Sequence, residues 1–479
     1  MPSAPTDTFS LAQLAKVTMG ELRGETCDFS AVSIDSRSIN RGELFVALRG
    51  PSFDGHAFVD AAQKNGAVAL LVEQKIESAL PQVIVSDSRR ALGDLASAWR
   101  MQYQIPVIAV TGSNGKTTVK EMLMAILARE GKVLATHGNL NNEIGVPLTL
   151  LRINSEHRYA VIEMGANHHG EIRYLTTLAK PTVALVNNAG PAHLEGFGDV
   201  AGVARAKGEI FEGLPSDGIA IFNVDDEYAA TWQALCVNKN RQCFGIESAA
   251  DVSASDLQQV DGVGYHFKLH VASEVIAITL PLPGRHNVMN ALAASTAAIA
   301  AGATLEAVQS GLQSLDAVSG RLQLKQSASG VWVVDDTYNA NPASLQAGLA
   351  VLNEQSTHTK IMVLGDMGEL GDLSATLHRA MGEQIRAAGV DQLFTVGSQA
   401  QLTAQAFGSE AHHFATQAAL IAALKVTLSS AHGAVTVMVK GSRSMKMERV
   451  VTALLEVRES SIGGVDNGTV HARVNGVGG

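Results

Sequence analysis

The sequence predicts an α/β protein laid out as successive strand–helix series. Three observations carry this. An apolar run at Val107–Val110 passes through a glycine-rich turn into apolar residues at helical spacing. From Pro106 onward, short apolar runs alternate with helical patterns, as in a mostly parallel sheet covered on both faces. A further such series begins near Arg321, and residues 1 to about 100 hold a small α/β pattern of their own. With 479 residues the chain exceeds one ordinary core, so two to four domains are expected.

In the first hundred residues, Leu44–Leu48, Val68–Val72 and Val83–Val85 read as strands, and Phe58–Asn65 and Arg90–Tyr103 as helices. Asp35-Ser36-Arg37, followed by a turn at Gly42, suits either a ligand-facing loop or a solvated turn. Next comes the strand at Val107. The helix after it carries Val119, Met122, Leu123, Ile126 and Leu127 on one face, with Gly131 as its stop. Tyr159–Met164, Thr182–Asn187 and Ile219–Val224 are apolar runs that end in polar residues. Ligands of such sheets sit beyond the carboxyl ends of strands, so Glu163, Asn187, Asn188 and Asp225 are expected to face one site. Val263–Leu280 alternates like antiparallel strands. An alanine-rich helix, Val288–Ala301, follows the polar start Gly284–Asn287.

The last series has strands at Val331–Val334, Ile361–Leu364, Leu393–Val396 and Val435–Val439. Its helices fall at Pro342–Gln355, Leu373–Ala388, Thr416–Ser429 and Ser444–Val457. Asn341-Pro342 marks a helix entry, a capping side chain followed by proline in the first turn.

Composition excludes several classes. Hydrophobic residues make up 46% and charged ones 17%, which describes a compact chain, not a disordered one. A net charge of −10 argues against nucleic acid or an anionic membrane as partner. Cys27, Cys236 and Cys243 form no C-x-x-C pair, so neither a disulfide framework nor a zinc site is expected, and a reducing compartment fits. The first residues lack a basic-then-apolar signal pattern, and no apolar run approaches the roughly 20 residues of a membrane span. A cytoplasmic location is the expectation.

The chemistry starts at Gly112-Ser113-Asn114-Gly115-Lys116-Thr117-Thr118. Between a strand and a helix, such a loop aims backbone N–H groups and the helix N-terminus at phosphate oxygens. Lys116 would reach the β/γ-phosphates, and the Thr117 hydroxyl a Mg²⁺ ion. The usual spacing has a glycine where Val110 stands, so the loop is a shortened variant that binds a nucleoside triphosphate. Glu163, at a strand end before a glycine turn, suits Mg²⁺. His193 follows the Asn187–Ala192 stretch. Lys207 lies in an apolar helical pattern, either snorkelling to the surface or desolvated and able to react with CO₂; its residue pattern alone favours the surface. Arg321 is available for phosphate charge, and Asp335-Asp336 ends a strand before the Asn341 cap.

These stretches together resemble the Mur ligase family. The matching elements are Ser33-Ile-Asp-Ser-Arg37 with Gly42-Glu-Leu-Phe45, Thr111 to Glu121, Thr136-His-Gly-Asn-Leu-Asn-Asn142, Glu163-Met-Gly-Ala, His193-Leu-Glu-Gly-Phe, Ala206-Lys-Gly-Glu, His286 to Asn290, Asp336 to Pro342 and Lys440-Gly-Ser-Arg443. They run in family order from about residue 30 to 450. The resemblance implies an N-terminal UDP-sugar-binding domain (1–104), a central P-loop-type ATP-binding domain (105–317), a C-terminal Rossmann-like domain (318–460) and a flexible tail (461–479).

It also implies the reaction: ATP phosphorylates a peptide carboxylate, and an amine attacks the acyl phosphate to form an amide. The substrates implied are UDP-N-acetylmuramoyl-tripeptide and D-Ala-D-Ala, the protein acting as a monomer in peptidoglycan synthesis. Leu364-Gly-Asp-Met-Gly-Glu-Leu370 matches the dipeptide-adding members. An Asp-Asn-Pro-Arg signature, which the members that add a single diamino acid carry, is missing. A folylpolyglutamate synthetase would leave the Ser36-Arg37 segment unexplained, and a nucleotide switch would leave the C-terminal half unexplained.

By resemblance, Thr117 and Glu163 hold one Mg²⁺, while His193 and a carbamylated Lys207 hold or position a second. Asn287 and Asn290 face the adenine, Arg321 the γ-phosphate, and Asp336 the ribose, with Asp335 the alternative. Ser36 and Arg37 contact the UDP-sugar, and Asn139 and Asn142 lie nearer the sugar-peptide. Because Arg321 and Asp336 follow the phosphate-binding segment in the chain, the resemblance also implies that a hinge motion assembles the site.

Overall fold

In the computed structural model, residues 7–260, 264–316, 318–355 and 357–456 are described. The strand Val107–Thr111 is buried along its whole length because parallel neighbours, Tyr159–Glu163 and Val183–Val186, flank it on both sides. These belong to a nine-stranded sheet. Val133–Ala135 forms one edge. On the other side follow Ile219–Asn223, Asn240–Gly245 and a meander of Val252–Val260, Gly264–Val271 and Glu274–Leu280 whose strands pair antiparallel with one another. Lys116–Leu127, Arg285–Ala300 and Leu305–Gln313 cover one face in a shared apolar cluster. The first of these helices stops at Leu127, and a hydrogen-bonded turn carries the chain on to Gly131.

The other face of that sheet is packed by Ser88–Arg100, Gly145–Leu150, Glu171–Ala179 and Val200–Gly208. The first of these helices belongs to the N-terminal segment, whose own five-stranded sheet runs in the order Glu21–Arg23, Gln82–Ile84, Ala69–Val72, Glu43–Val46, Ala31–Ser33. One apolar core therefore runs continuously from Phe9 to Cys236. Two polar ties reinforce it. The Trp99 indole N–H donates to the Ile153 carbonyl at 2.8 Å, and the buried Arg100 guanidinium donates to the carbonyls of Tyr103 (2.7 Å) and Ala179 (3.1 Å).

The last part holds a six-stranded sheet in the order Gln323–Gln326, Trp332–Asp336, Val435–Lys440, Thr359–Gly365, Gln392–Val396, Ala411–Phe414, parallel except at its first edge. Its two faces carry their own apolar clusters. Several polar contacts join it to the rest, and the half-buried Leu377 packs against both sides.

Among the strands that go unread in the sequence are Asn240–Gly245, Val252–Val260, Gln323–Gln326 and Ala411–Phe414. Each is polar along much of its length, because it lies near a sheet edge or turns a face to solvent, so no apolar run announces it. Residues 461–479, expected as a flexible tail, lie outside the described residues. No helix among the described residues is long and apolar enough to cross a membrane.

Candidate active site

The glycine loop closes on the strand ends beside it. Ser113 Oγ donates to the Gly190 carbonyl (3.1 Å) and accepts the Gly190 N–H (3.0 Å), while the Asn114 N–H donates to Asn188 Oδ1 (2.9 Å). Gly115 has φ +80° and caps the following helix without a side chain, leaving the N–H groups of the first turn, Lys116 to Thr118, free for a ligand. A Cβ on Gly115 would meet Asn290 Oδ1 at 2.4 Å and Asn187 Nδ2 at 2.6 Å, so both backbone and neighbours demand glycine there.

Those neighbours form a chain beneath the loop. The Asn187 amide donates to the Asn114 carbonyl (3.0 Å) and to Asn290 Oδ1 (2.9 Å); Asn290 donates to Asn287 (3.0 Å), and Asn287 to the Pro283 carbonyl (2.7 Å). Asn287 and Asn290, expected at the adenine, are thus the buried struts between the loop and the start of the Arg285–Ala300 helix.

Lys116 Nζ folds back to the Gly112 carbonyl at 2.7 Å, and burial pushes its pKa down. The Thr117 hydroxyl meets Glu163 Oε2 at 2.9 Å, and Arg321 Nη2 donates to the same hydroxyl at 2.8 Å. The other Glu163 oxygen accepts from Asn141 at 2.8 Å. Tyr338 stacks under the Arg321 guanidinium at 4.0 Å, and Asn341, which caps the helix Pro342–Glu354, donates to Asn114 Oδ1 at 2.9 Å. Residues from opposite sides of the cleft therefore meet at Thr117 and Asn114.

Thr117 and Glu163 supply only oxygen, which fits a hard cation that keeps several waters and shares phosphate oxygens. A second cation is a different matter. Lys207 is 1% exposed, with its Nζ 5.8 Å from the Phe197 ring centroid and no hydrogen-bond partner among the described residues. Burial, aided by the charge of Lys116, brings its pKa down to about 7. Its pattern had suggested a surface lysine; the structure buries it, because Val200–Gly208 packs against the core on this side. His193, with φ +53°, binds Glu369 Oε2 through Nδ1 at 2.9 Å. That bond holds the Glu369 carboxyl below its ordinary pKa. An amine and a ring nitrogen are a poor set for Mg²⁺, and no cluster of three His, Cys, Asp or Glu stands ready among the described residues.

The two strand-end acids separate as strand alternation requires. Asp335 pairs with Lys325 at 2.7 Å on the edge strand. Asp336 pairs with Lys440 at 2.5 Å, yet burial still raises its pKa. Arg321 is near enough to Asp336 to offset part of that rise. Burial, with the charge of Lys440, also drives the pKa of the nearby His286 down to about 4.

Farther out, Ser36 is buried and its carbonyl accepts from Asn65 at 2.7 Å. Arg37 is exposed and forks onto Asp35 at 2.7 and 2.9 Å, holding that carboxyl down to about 2. Asn139 is exposed, and Asn142 Oδ1 accepts the Gly145 N–H (2.9 Å). Asn142 also lines a cavity of about 510 Å³ with Arg89, Arg90, His169, Glu171 and Tyr174, between the N-terminal helix and the turn after Glu163.

One expectation fails. Asp225 does not face the loop: its carboxylate accepts the N–H groups of Ile246, Glu247 and Ser248 at 2.6–3.0 Å, capping a turn on the neighbouring strand. Sequence reading missed Asn141, Tyr338, Asn341 as a loop contact, Glu369 and Lys440. Lys440 and Glu369 sit at or just beyond the carboxyl ends of strands, the signal that could have found them.

Three family descriptions match the chain: "Mur ligase family, catalytic domain" at 28–100, "Mur ligase middle domain" at 110–298, and "Mur ligase, glutamate ligase domain" at 320–443. The UDP-N-acetylmuramoyl-tripeptide–D-alanyl-D-alanine ligase of Escherichia coli K12 is 47% identical over 448 residues, 93% of this chain and 98% of its own. The Bacillus subtilis ligase of the same name is 35% identical over 93% and 98%. Among solved structures, a crystal structure of MurF from Acinetobacter baumannii superposes with TM-score 0.90 at 37% identity, covering 95% of this chain and all of that one. MurF ligase from Thermotoga maritima in complex with ADP superposes with TM-score 0.81 at 29% identity, covering 89% and 97%. With its phosphate loop, its three matched segments and these full-length relatives, the chain belongs to the Mur ligase family.

Proposed function

We infer that this protein is an ATP-dependent ligase that joins D-alanyl-D-alanine to UDP-N-acetylmuramoyl-tripeptide, giving the UDP-N-acetylmuramoyl-pentapeptide of peptidoglycan synthesis. The full-length likeness to ligases of that name carries the choice of substrates. The convergence of Thr117, Glu163 and Arg321 supports the chemistry, since phosphoryl transfer to a carboxylate gathers anions that fixed charges must offset.

In this reading the free N–H groups at Lys116–Thr118, with Gly112, Ser113, Asn114 and Gly115, cradle the ATP phosphates, and Lys116 moves from the Gly112 carbonyl onto the β/γ-phosphates. Arg321, held flat by Tyr338, meets the γ-phosphate, and Asp336 the ribose. Asn287 and Asn290, which brace the loop, would face the adenine. Thr117 and Glu163 would hold Mg²⁺, which supplies charge neutralisation between ATP and the carboxylate. His193 and Lys207 would serve a second Mg²⁺ once Lys207 is carbamylated. Burial lowers the pKa of its amine to about 7, which makes a substantial neutral fraction available to CO₂, and the carbamate replaces a nitrogen by two oxygens.

We place the peptide of the UDP-sugar in the cavity at Asn142, with Asn139 at its approach and Ser36 and Arg37 beneath the nucleotide-sugar. Its terminal carboxylate would take the γ-phosphoryl group, releasing ADP. The amine nitrogen of D-Ala-D-Ala then bonds to that carbonyl carbon, and the carbon–oxygen bond to phosphate breaks. An amide, inorganic phosphate and a proton result.

The domain division proposed is 1–104, 105–317 and 318–460, in a monomer working in the cytoplasm. The test is ADP release with UDP-N-acetylmuramoyl-tripeptide, comparing D-Ala-D-Ala with single amino acids. Turnover only with the dipeptide is expected; turnover without any acceptor would overturn the ligase reading.

A further inference from the structure

On its donor side, the ligase reaction brings only anions to the cleft: a triphosphate, a carboxylate and the acyl phosphate made from them. The protein meets them with Lys116 and Arg321. Glu369 has the wrong sign for that company. It lies just past the strand Thr359–Gly365, across the cleft from the phosphate loop.

Nor does its own fold need its charge. The other carboxylate of this turn, Asp366, accepts the N–H groups of Gln399 (3.0 Å) and Ala400 (2.7 Å). The Glu369 side chain pairs with His193, on the far side, and feels the charge of Lys116; among the described residues it has no other hydrogen-bond or ion-pair partner. Its side chain is 58% exposed, so a ligand can reach it. Its backbone is left-handed, φ +61°, a conformation a non-glycine residue keeps only when its surroundings impose it. Here they do. The Met367 N–H donates to the buried His378 Nε2 (3.1 Å), and the Ser442 N–H to the Asp366 carbonyl (2.9 Å).

A rigidly presented, accessible carboxylate in an anion-binding cleft calls for a cationic ligand, and the acceptor amine enters the reaction as an ammonium ion. We propose that Glu369 binds the ammonium group of the incoming dipeptide, at the position the His193 N–H now fills. This rests on the ligase reading above. It makes Glu369 a specificity residue for the acceptor, because a site built to hold an N–H donor rejects an analogue that lacks one.

The test uses the full-length enzyme with UDP-N-acetylmuramoyl-tripeptide and a non-hydrolysable ATP analogue, titrated by calorimetry with D-Ala-D-Ala or propionyl-D-alanine, the same molecule without its amine. Wild type should prefer the amine by roughly tenfold or more, and Glu369→Gln should reduce that preference to about threefold or less. In turnover assays the Gln variant should raise KM for the dipeptide and shift KM for ATP by no more than about twofold. Glu369→Asp, which keeps the charge, should retain part of the preference and covers the case of a Gln variant that does not fold. A preference that survives in Glu369→Gln would overturn the proposal. So would a parallel rise in KM for ATP, which would move Glu369 to the nucleotide and metal side. Wild type that releases no ADP with the dipeptide would instead sink the ligase reading itself.

Discussion

A charged amine at Lys207 is costly, and that cost has a pH signature. In the folded chain its pKa is about 7, against an ordinary 10.5, because burial disfavours the ammonium. Between those values the unfolded chain binds the extra proton, so stability rises with pH across that window; below pH 7 the full cost of the buried charge applies, at about 1.4 kcal/mol per unit of depression. In CO₂-free buffer, Lys207→Met should therefore raise Tm clearly at pH 6 and much less near pH 10, by calorimetry. With ¹³C-bicarbonate, wild type should show a carbamate carbon resonance that Lys207→Met lacks. Asp225 is the contrasting case. Asp225→Ala should cost about 1.5–3 kcal/mol in denaturant unfolding, the scale of hydrogen bonds to a charged group, while KM for ATP stays the same. Residue types and strand ends pointed to Lys116, Thr117, Glu163 and Arg321. They could not separate Asp225 from these, because a strand-end acid can cap the neighbouring turn as readily as it faces a ligand. Nor could they tell that Lys207 is buried, since one lysine in an apolar helical pattern looks the same whether it snorkels or not.

The strand–loop–helix element works because its glycine has no room to be anything else. Gly115→Ala adds a methyl 2.4 Å from Asn290 Oδ1 at φ +80°, so loop or strut must move. The expected result is a loss of at least about tenfold in ATP affinity by equilibrium binding, with a lower Tm, since strain at a left-handed residue is of order 1–3 kcal/mol. Binding equal to wild type would mean that the Asn187–Asn290 struts are dispensable. At this scale the buried elements were legible and the edges were not. Val107–Thr111 and Thr359–Gly365 show themselves as apolar runs, whereas Ala-His-His-Phe at 411–414 pairs mainly through its backbone, which the sequence does not display.

Across the molecule, two kinds of junction coexist. The N-terminal segment shares its core with the central sheet through Trp99 and its neighbours. The last six-stranded sheet meets the rest through polar pairs: Arg321–Thr117, Asn341–Asn114, Glu369–His193 and Glu354–Tyr265, the last at 2.7 Å with the Tyr265 hydroxyl pushed up to about 12, chiefly by burial. Polar pairs loosen with salt and tighten with ligand, so we predict that hinge motion falls at this junction. Small-angle scattering should show a larger radius of gyration at high salt than with ATP analogue and UDP-sugar peptide bound. Limited proteolysis should cut near residues 314–320, more slowly with the ligands present; a profile blind to both would count against the hinge. The same asymmetry sets how the protein can be re-engineered. A chimera that exchanges everything after Leu315 for a sibling's acceptor module cuts through few side-chain contacts and should fold. A chimera joined at Tyr103 would split the core that holds Trp99 and Arg100, so a new donor specificity has to be built by point substitution within the existing N-terminal module.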